Sequence, residues 1–167
     1  MKLSLCMIVK NEEEVIERCL KSALSFVDEI IIVDTGSTDK TKQIVSKYTS
    51  NIYEFNWIDD FAAARNFSFS KATGDYIMWL DADDIVTPIN ANKIIALKNS
   101  YDPATDIFMF KYNVAFDKNN QPTFTYYRER IIRNCDEYKW QSPIHEVIPL
   151  NGKIVYQDIS IEHKKLK

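Results

Sequence analysis

The sequence predicts an α/β fold: a mainly parallel, Rossmann-like sheet with helices on both faces and an antiparallel extension towards the C-terminus. Three observations predict it. Near-continuous apolar runs from Leu3 to Val9, Glu29 to Val33 and Tyr76 to Leu80 have the pattern of strands buried on both faces. Stretches with apolar residues at helical spacing separate them, joined by short polar connections, as in a doubly wound parallel sheet. From Asp106 the pattern changes to two long strand-forming runs around one polar turn, the pattern of an antiparallel pair.

Each element has its own signal. After the first strand, Asn11 offers a helix cap, and Glu12, Glu13 and Glu14 fall in a first turn where the helix dipole favours acids. Val15, Ile16, Cys19, Leu20, Ala23, Leu24 and Val27 then form one apolar stripe. The second strand ends at Asp34. Thr35 to Thr41 is a turn rich in capping groups, followed by a short helix through Ile44, Val45 and Tyr48 and a third strand from Asn51 to Phe55. Asp59 and Asp60 lead into an alanine-rich helix. It is expected to end near Ala72-Thr73-Gly74, with the glycine in the left-handed cap position. Beyond the fourth strand, Pro88 opens a helix through Ile94, Ile95 and Leu97. Ile107 to Val114 and Thr123 to Arg128 flank the turn Asp117 to Pro122, with short strands expected at Arg130 to Arg133 and Ile144 to Leu150 and a last one from Lys153 to Ile161.

The length of 167 residues suits one domain with a substantial core. Hydrophobic residues at 46% and charged residues at 27% are a globular balance, so disorder is not expected. A formal net charge of -3 with no basic block argues against nucleic acid as a partner. Cys6, Cys19 and Cys135 form no CxxC pair, and the first two sit on apolar elements, so reduced thiols of a cytoplasmic protein are expected. No apolar run approaches a membrane span. A soluble protein is expected, compatible with contact at the inner face of the cell membrane if its acceptor is a lipid. Lys164 to Lys167 end without an obvious stop, the expectation for a truncated chain or the start of a linker.

The chemistry is concentrated where the fourth strand runs into Asp81-Ala82-Asp83-Asp84. Carboxylates gathered at the end of a central strand repel one another unless a positive charge stands among them. A divalent cation with oxygen ligands, Mg²⁺ or Mn²⁺, held together with a substrate's phosphates, supplies it. The alternative for Asp84 is a cap for the helix that Pro88 opens. Asp34, at the end of the second strand, lies where open parallel sheets bind ligands.

Four ordered stretches then carry a resemblance: Ser4 to Glu12, Ile32 to Thr41, Asp60 to Asn66 and Gly74 to Asp83. Together they resemble the family 2 glycosyltransferases, which have a GT-A fold, and most closely the lipopolysaccharide core β-glucosyltransferase-like branch. That branch includes enzymes fused to tetratricopeptide repeats and peptide S-glycosyltransferases. The match is close to about residue 88 and thinner beyond, where Lys139 to Glu146 resembles a tryptophan-then-His-Glu motif of the same branch. The resemblance implies a metal-dependent, inverting transfer from a nucleotide-diphospho sugar, a UDP-hexose in the first instance, to a saccharide, lipid-linked or peptide acceptor. Residues 1–100 would be the nucleotide-sugar-binding half and 101–167 the acceptor side. Asp34 falls in the pocket for base and ribose, with Thr35 where many relatives carry a second acid. Arg65 falls where an arginine reaches the donor. Asp83 aligns with the metal ligand, and Asp81 with a contact to ribose, metal-bound water or the metal. His163 matches a late histidine that completes the metal or diphosphate site. Glu146 is the candidate base for the acceptor proton. His145 is beside it, although neighbours on a strand face opposite ways. Of the tryptophans, Trp79 is expected in the core and Trp140 as the sugar platform. Two rivals are carried. A nucleotidylyltransferase would show a glycine-rich basic loop after the first strand, where this chain has Lys10-Asn11-Glu12-Glu13. A non-catalytic nucleotide-sugar or protein-binding module on a degenerate GT-A fold would bind donor without transfer.

Overall fold

The computed structural model describes residues 1–166. One sheet of eight strands organises them, in the order β3-β2-β1-β4-β7-β6-β8-β5. Its first part is β1 (Leu3–Val9), β2 (Glu29–Asp34), β3 (Ile52–Glu54) and β4 (Tyr76–Trp79), paired in parallel. Helices α1 (Ile16–Ala23), α2 (Thr41–Val45) and α3 (Phe61–Ser70) connect these strands. Then come β5 (Asp84–Ile85), α4 (Pro88–Ser100), β6 (Ile107–Phe116), β7 (Pro122–Arg133) and β8 (Ile154–His163). β7 joins the parallel part by pairing antiparallel with β4, and β6 pairs with β7 in the same sense. β8 runs parallel to β6, and β5 closes the edge antiparallel to β8.

Alternation along the strands divides the core between two faces. Leu3, Leu5, Met7 and Val9 of β1 and Tyr76 and Met78 of β4 pack against Ile16, Cys19 and Leu20 of α1, Val45 of α2 and Ile94 of α4. Cys6, Ile31 and Ile77 point the other way, towards Phe69 of α3. Trp79 shares that second face with Ala62, Ile132 and Trp140. Helices therefore cover both faces, as expected.

Four local expectations are corrected. Asn11 does not cap a helix: it takes a left-handed conformation (φ 52°), and α1 starts only at Ile16. Its side chain accepts from the Thr38 N–H at 2.8 Å, and its own N–H donates to Ser37 Oγ at 2.9 Å, so it ties the loop after β1 to the loop after β2. Gly74 is not a left-handed cap either. A Cβ there would meet Ser4 Oγ at 2.6 Å and the Lys2 carbonyl at 2.7 Å, so close backbone approach is what requires glycine. Arg130 to Arg133 is not a separate strand but the buried end of the twelve-residue β7. Ile144 to Leu150 is not a strand: one isolated bridge between Gln141 and Val147 pins a loop.

Candidate active site

A cavity of about 890 Å³ opens at the carboxyl ends of β1, β2 and β4. Val9, Thr35, Asp81 and Asp83 line it from the strand ends, and Phe61 and Arg65 from α3. His145 and Glu146 enter from the loop after β7, Arg128 from β7 itself, and His163 from the end of β8. This is the crevice where ligands of open α/β sheets bind.

The acidic stretch divides by function once its contacts are known. Asp81 turns towards α3, with Oδ1 2.9 Å from Arg65 Nη2. Burial works against its ionised form, but the Arg65 guanidinium outweighs that and holds its carboxyl below the usual range. Asp83 faces His163, with Oδ1 3.3 Å from Nδ1. The two-residue β5 places Asp84 directly across from His163 in register, and Oδ1 of Asp84 lies 3.2 Å from the same nitrogen. Asp83, Asp84 and His163 each offer a ligand atom, all within 4.8 Å of one another. Asp84 thus takes the place in this cluster that was expected of Asp81. Its carboxylate is already engaged, however: Oδ1 accepts the Tyr112 hydroxyl at 2.7 Å, and Oδ2 accepts the Asp81 N–H at 2.8 Å. The half-buried Asp83 and His163 are the members open to the cavity.

A carboxylate suits Mg²⁺ or Mn²⁺ and an imidazole favours the transition metal of the two, Mn²⁺, and the local charge fits too. Burial, followed by Asp83, Asp81 and Asp39, raises Glu12 above the usual carboxylate range. Burial raises Asp83 likewise, against the opposing pull of His163 and with Asp84 and Asp81 adding to it. The hydrogen bond with Asp84, ahead of the opposing burial, raises His163. Negative charge is thus in excess at this corner even with Arg65 on Asp81 and Arg130 on Asp84, and a cation at Asp83 and His163 would offset it.

Arg65 organises the opposite wall. It is 6% exposed and lies between two indoles, 4.8 Å from the Trp79 ring centre and 5.0 Å from that of Trp140. Its Nε donates to Glu146 Oε1 at 2.9 Å while Nη2 holds Asp81. The neighbouring Asn66 accepts from the Trp140 N–H at 2.8 Å and donates to the Trp140 carbonyl at 3.0 Å. The Phe61 N–H donates to the Pro143 carbonyl at 2.9 Å. One turn and a half of α3 therefore fastens the loop that carries Glu146. Trp140 is the holder and not an open platform: it is 3% exposed and packed edge-on against Trp79 and Phe69. The aromatic wall of the cavity is Trp57 with Phe61. His145 sits in the left-handed region (φ 55°), and this bend lets both His145 and Glu146 line the cavity, contrary to the alternation of a strand.

Asp34 is buried, and its Oδ1 accepts from the Gly36 and Ser37 N–H groups at 2.9 and 2.8 Å, so it shapes the turn. Its Oδ2 is buried with no hydrogen-bond partner among the described residues. The adjacent Thr35, not Asp34, lines the cavity.

Sequence reasoning missed Tyr112, Arg128 and Arg130 and left Asp84 between a place among the carboxylates around a cation and a helix cap. Arg130 is fully buried and lies over Trp79, 3.7 Å from the ring centre. Its signal was present: a cation immediately before the apolar Ile131-Ile132 in a strand that enters the core. Tyr112 and Arg128 left no such signal, because aromatic and arginine residues are common on exposed strands.

With the geometry in hand, similar proteins can be placed beside it. The family profile described as Glycosyl transferase family 2 matches residues 4–152. A TPR repeat-containing protein of Synechococcus elongatus is 35% identical over 148 residues, 88% of this chain and 35% of that protein. The SPbeta prophage-derived glycosyltransferase SunS of Bacillus subtilis is 38% identical over 90 residues, 52% of this chain and 21% of its own length. The chain thus spans about a third or less of these relatives. Among solved structures, S. aureus TarS 1-349 in complex with UDP-GlcNAc is 26% identical with a TM-score of 0.54, covering 69% of this chain and 35% of that one. The longer S. aureus TarS structure, 17% identical, shares the fold over 99% of this chain and 37% of its own, with a TM-score of 0.67. The parallel half-sheet, the cavity at its carboxyl ends and the family match over residues 4–152 agree, and the chain belongs to glycosyl transferase family 2.

Proposed function

We propose that residues 1–167 form one glycosyltransferase domain that moves a sugar from a nucleotide-diphospho sugar to a saccharide, lipid-linked or peptide acceptor, with inversion. The observation that carries this reading is the single cavity that joins the Asp83–His163 pair to Glu146, with Arg65 bridging from Asp81. The likeness to TarS, solved with UDP and with UDP-GlcNAc, supports a UDP-sugar as donor. Residues 1–100 hold most of the nucleotide sugar, and 101–167 face the acceptor while lending Arg128 and His163 to the diphosphate end. The relatives with tetratricopeptide repeats or the name SunS support placing the chain in the lipopolysaccharide-glucosyltransferase-like branch.

Asp34 and Thr35 receive the base and ribose; the unpartnered Asp34 Oδ2 supports this, since a base N–H there would satisfy it. Asp83 and His163 would hold Mg²⁺ or Mn²⁺, which when bound would supply a Lewis acid for negative charge on the diphosphate. Arg128, lining the same cavity, adds a guanidinium for phosphate oxygens. Glu146 takes the proton of the acceptor as its oxygen or sulfur attacks the anomeric carbon from the face opposite the diphosphate. Arg65 fixes Glu146 through Oε1. His145 contacts the substrate from the same bend, and Trp140 acts through Arg65 by packing against it. No helix among the described residues is long and apolar enough to cross a membrane. A cytoplasmic site, with the acceptor reached from solution or at the inner membrane face, is part of the proposal.

Calorimetric titration with a panel of UDP- and GDP-sugars, with and without Mn²⁺, tests it beside Asp83→Ala. The expected result is metal-dependent binding of one donor, weakened at least tenfold in the variant, a change of about 1.4 kcal/mol. Folded protein that binds no donor would sink the reading.

A further inference from the structure

Behind the cavity wall, Tyr112 and Asp84 converge on one nitrogen of His163, and Arg130 holds Asp84 from the far side. The Tyr112 hydroxyl lies 2.8 Å from His163 Nδ1 and 2.7 Å from Asp84 Oδ1. Tyr112 is 5% exposed, and Asp84 and Arg130 are fully buried. Arg130 Nη1 donates to the Trp79 carbonyl at 3.1 Å and to Asp84 Oδ2 at 3.3 Å. Its guanidinium is held between two rings, 3.7 Å from the centre of Trp79 and 4.3 Å from that of Tyr112. Every polar neighbour that His163 has among the described residues lies on Nδ1.

Counting protons gives this network a direction. A carboxylate only accepts. Oδ2 of Asp84 is occupied by the Asp81 N–H and by Arg130, and Oδ1 takes the Tyr112 hydroxyl proton. Tyrosine has one such proton, so its oxygen meets His163 as an acceptor. Nδ1 must then carry the hydrogen, and in the neutral ring Nε2 is left bare. We propose that Asp84, Tyr112 and Arg130 are positioning residues that lock His163 as the Nδ1–H tautomer and present the Nε2 lone pair for a divalent cation. Histidines that bind metals are oriented in this way through their second nitrogen, and loss of the orienting partner typically weakens metal binding 10–100-fold. The cation half of the proposal rests on the function proposed above; the tautomer half is read in metal-free protein.

The chain has two histidines, His145 and His163, so ¹⁵N-histidine labelling with His145→Gln for assignment resolves the ring directly. At a pH where the ring is neutral, metal-free protein is expected to show a proton on Nδ1 and none on Nε2. Asp84→Asn tests the cause with little change of shape. Its amide must keep the oxygen towards the Asp81 N–H and Arg130, which turns the NH₂ towards Tyr112 and makes the tyrosine donate to His163 Nδ1. The proton should move to Nε2, and Mn²⁺ affinity, followed by electron paramagnetic resonance with UDP present, should fall by about 10–100-fold. Tyr112→Phe, which keeps the ring that packs on Arg130, should lower Mn²⁺ affinity about tenfold. A proton on Nε2 in the wild type, or a folded Asp84→Asn protein with an unchanged tautomer, would overturn the proposal. Protein with the Nδ1–H tautomer that binds no Mn²⁺ would support the lock and remove the cation.

Discussion

The two halves of the sheet hold their functional residues by different means. In the parallel half, β1, β2 and β4 are buried on nearly every residue, and Asp34 and Asp81 lie at or just beyond strand ends fixed by ladder pairing. In the antiparallel half, β7 is exposed from Pro122 to Tyr127 and enters the core only from Glu129, so the β6–β7 hairpin projects beyond the sheet. The loop that follows β7 into the cavity is held by side-chain ties, Arg65 to Glu146 and Asn66 to Trp140, while His163 is brought there by the pairing of β8 with β5 and β6. The difference teaches that the cavity wall at the ends of β2 and β4 is set by backbone register, whereas the loop carrying Glu146, beyond the β4–β7 ladder, is held in place by a few polar links.

The largest expected effect tests whether that loop carries chemistry. Glu146→Gln should lower transfer on the order of a thousandfold, about 4 kcal/mol in barrier, while donor affinity stays unchanged. Unchanged turnover in a direct transfer assay would leave all the chemistry in the parallel half. Next is the rigidity of the parallel half. Gly74→Ala forces a methyl against the Ser4 hydroxyl and the Lys2 carbonyl, and should cost about 3 kcal/mol in urea unfolding. A loss below about 0.5 kcal/mol would mean that β1 and the start of β4 can yield, and the contrast would fail.

A smaller effect belongs to the base of the hairpin. Asp106 accepts from the Lys153 N–H at 2.8 Å and from Arg133 Nε at 2.9 Å, and these two contacts, the first foremost, lower its pKa. Because the folded value lies below the unfolded one, near 3.9, its stabilisation is complete above the unfolded value and lost as pH falls through the folded one. For a group still in partial contact with solvent, Asp106→Asn should cost about 1 kcal/mol at neutral pH and nothing once the wild-type carboxylate is protonated. Equal losses at both pH values would assign the effect to packing. The smallest effect is at the hairpin's exposed end: Phe124, 57% exposed, should be replaceable by serine within about 0.5 kcal/mol. A larger loss would show that the projecting hairpin is part of the core after all.

Much of the parallel half was legible because local pattern and final environment coincide there. Apolar runs became β1, β2 and β4, Asp60 capped α3 through the Ala63 N–H, and Pro88 opened α4. The site was legible where a residue follows such a strand, as Asp81 and Asp83 do. It was less so in the loop from Trp140 to Glu146. There the tryptophan looked like a platform and the His-Glu pair like a strand, because nothing local announces that Arg65 and Asn66, more than seventy residues earlier, hold that loop.

By itself, the sequence determined the strand–helix alternation, the placing of the acids at the end of β4 and the family resemblance, since each depends on periodicity or on short contiguous motifs. Only the tertiary structure decided which acid pairs with which partner. Asp81 went to Arg65, Asp84 to Arg130 and Tyr112, and Asp83 was left with His163 facing the cavity. The physical reason is the range of the forces. Burial pattern and turn chemistry act between near neighbours in the chain, whereas a buried charge is satisfied by whatever the sheet's register brings within about 3 Å, however distant in sequence.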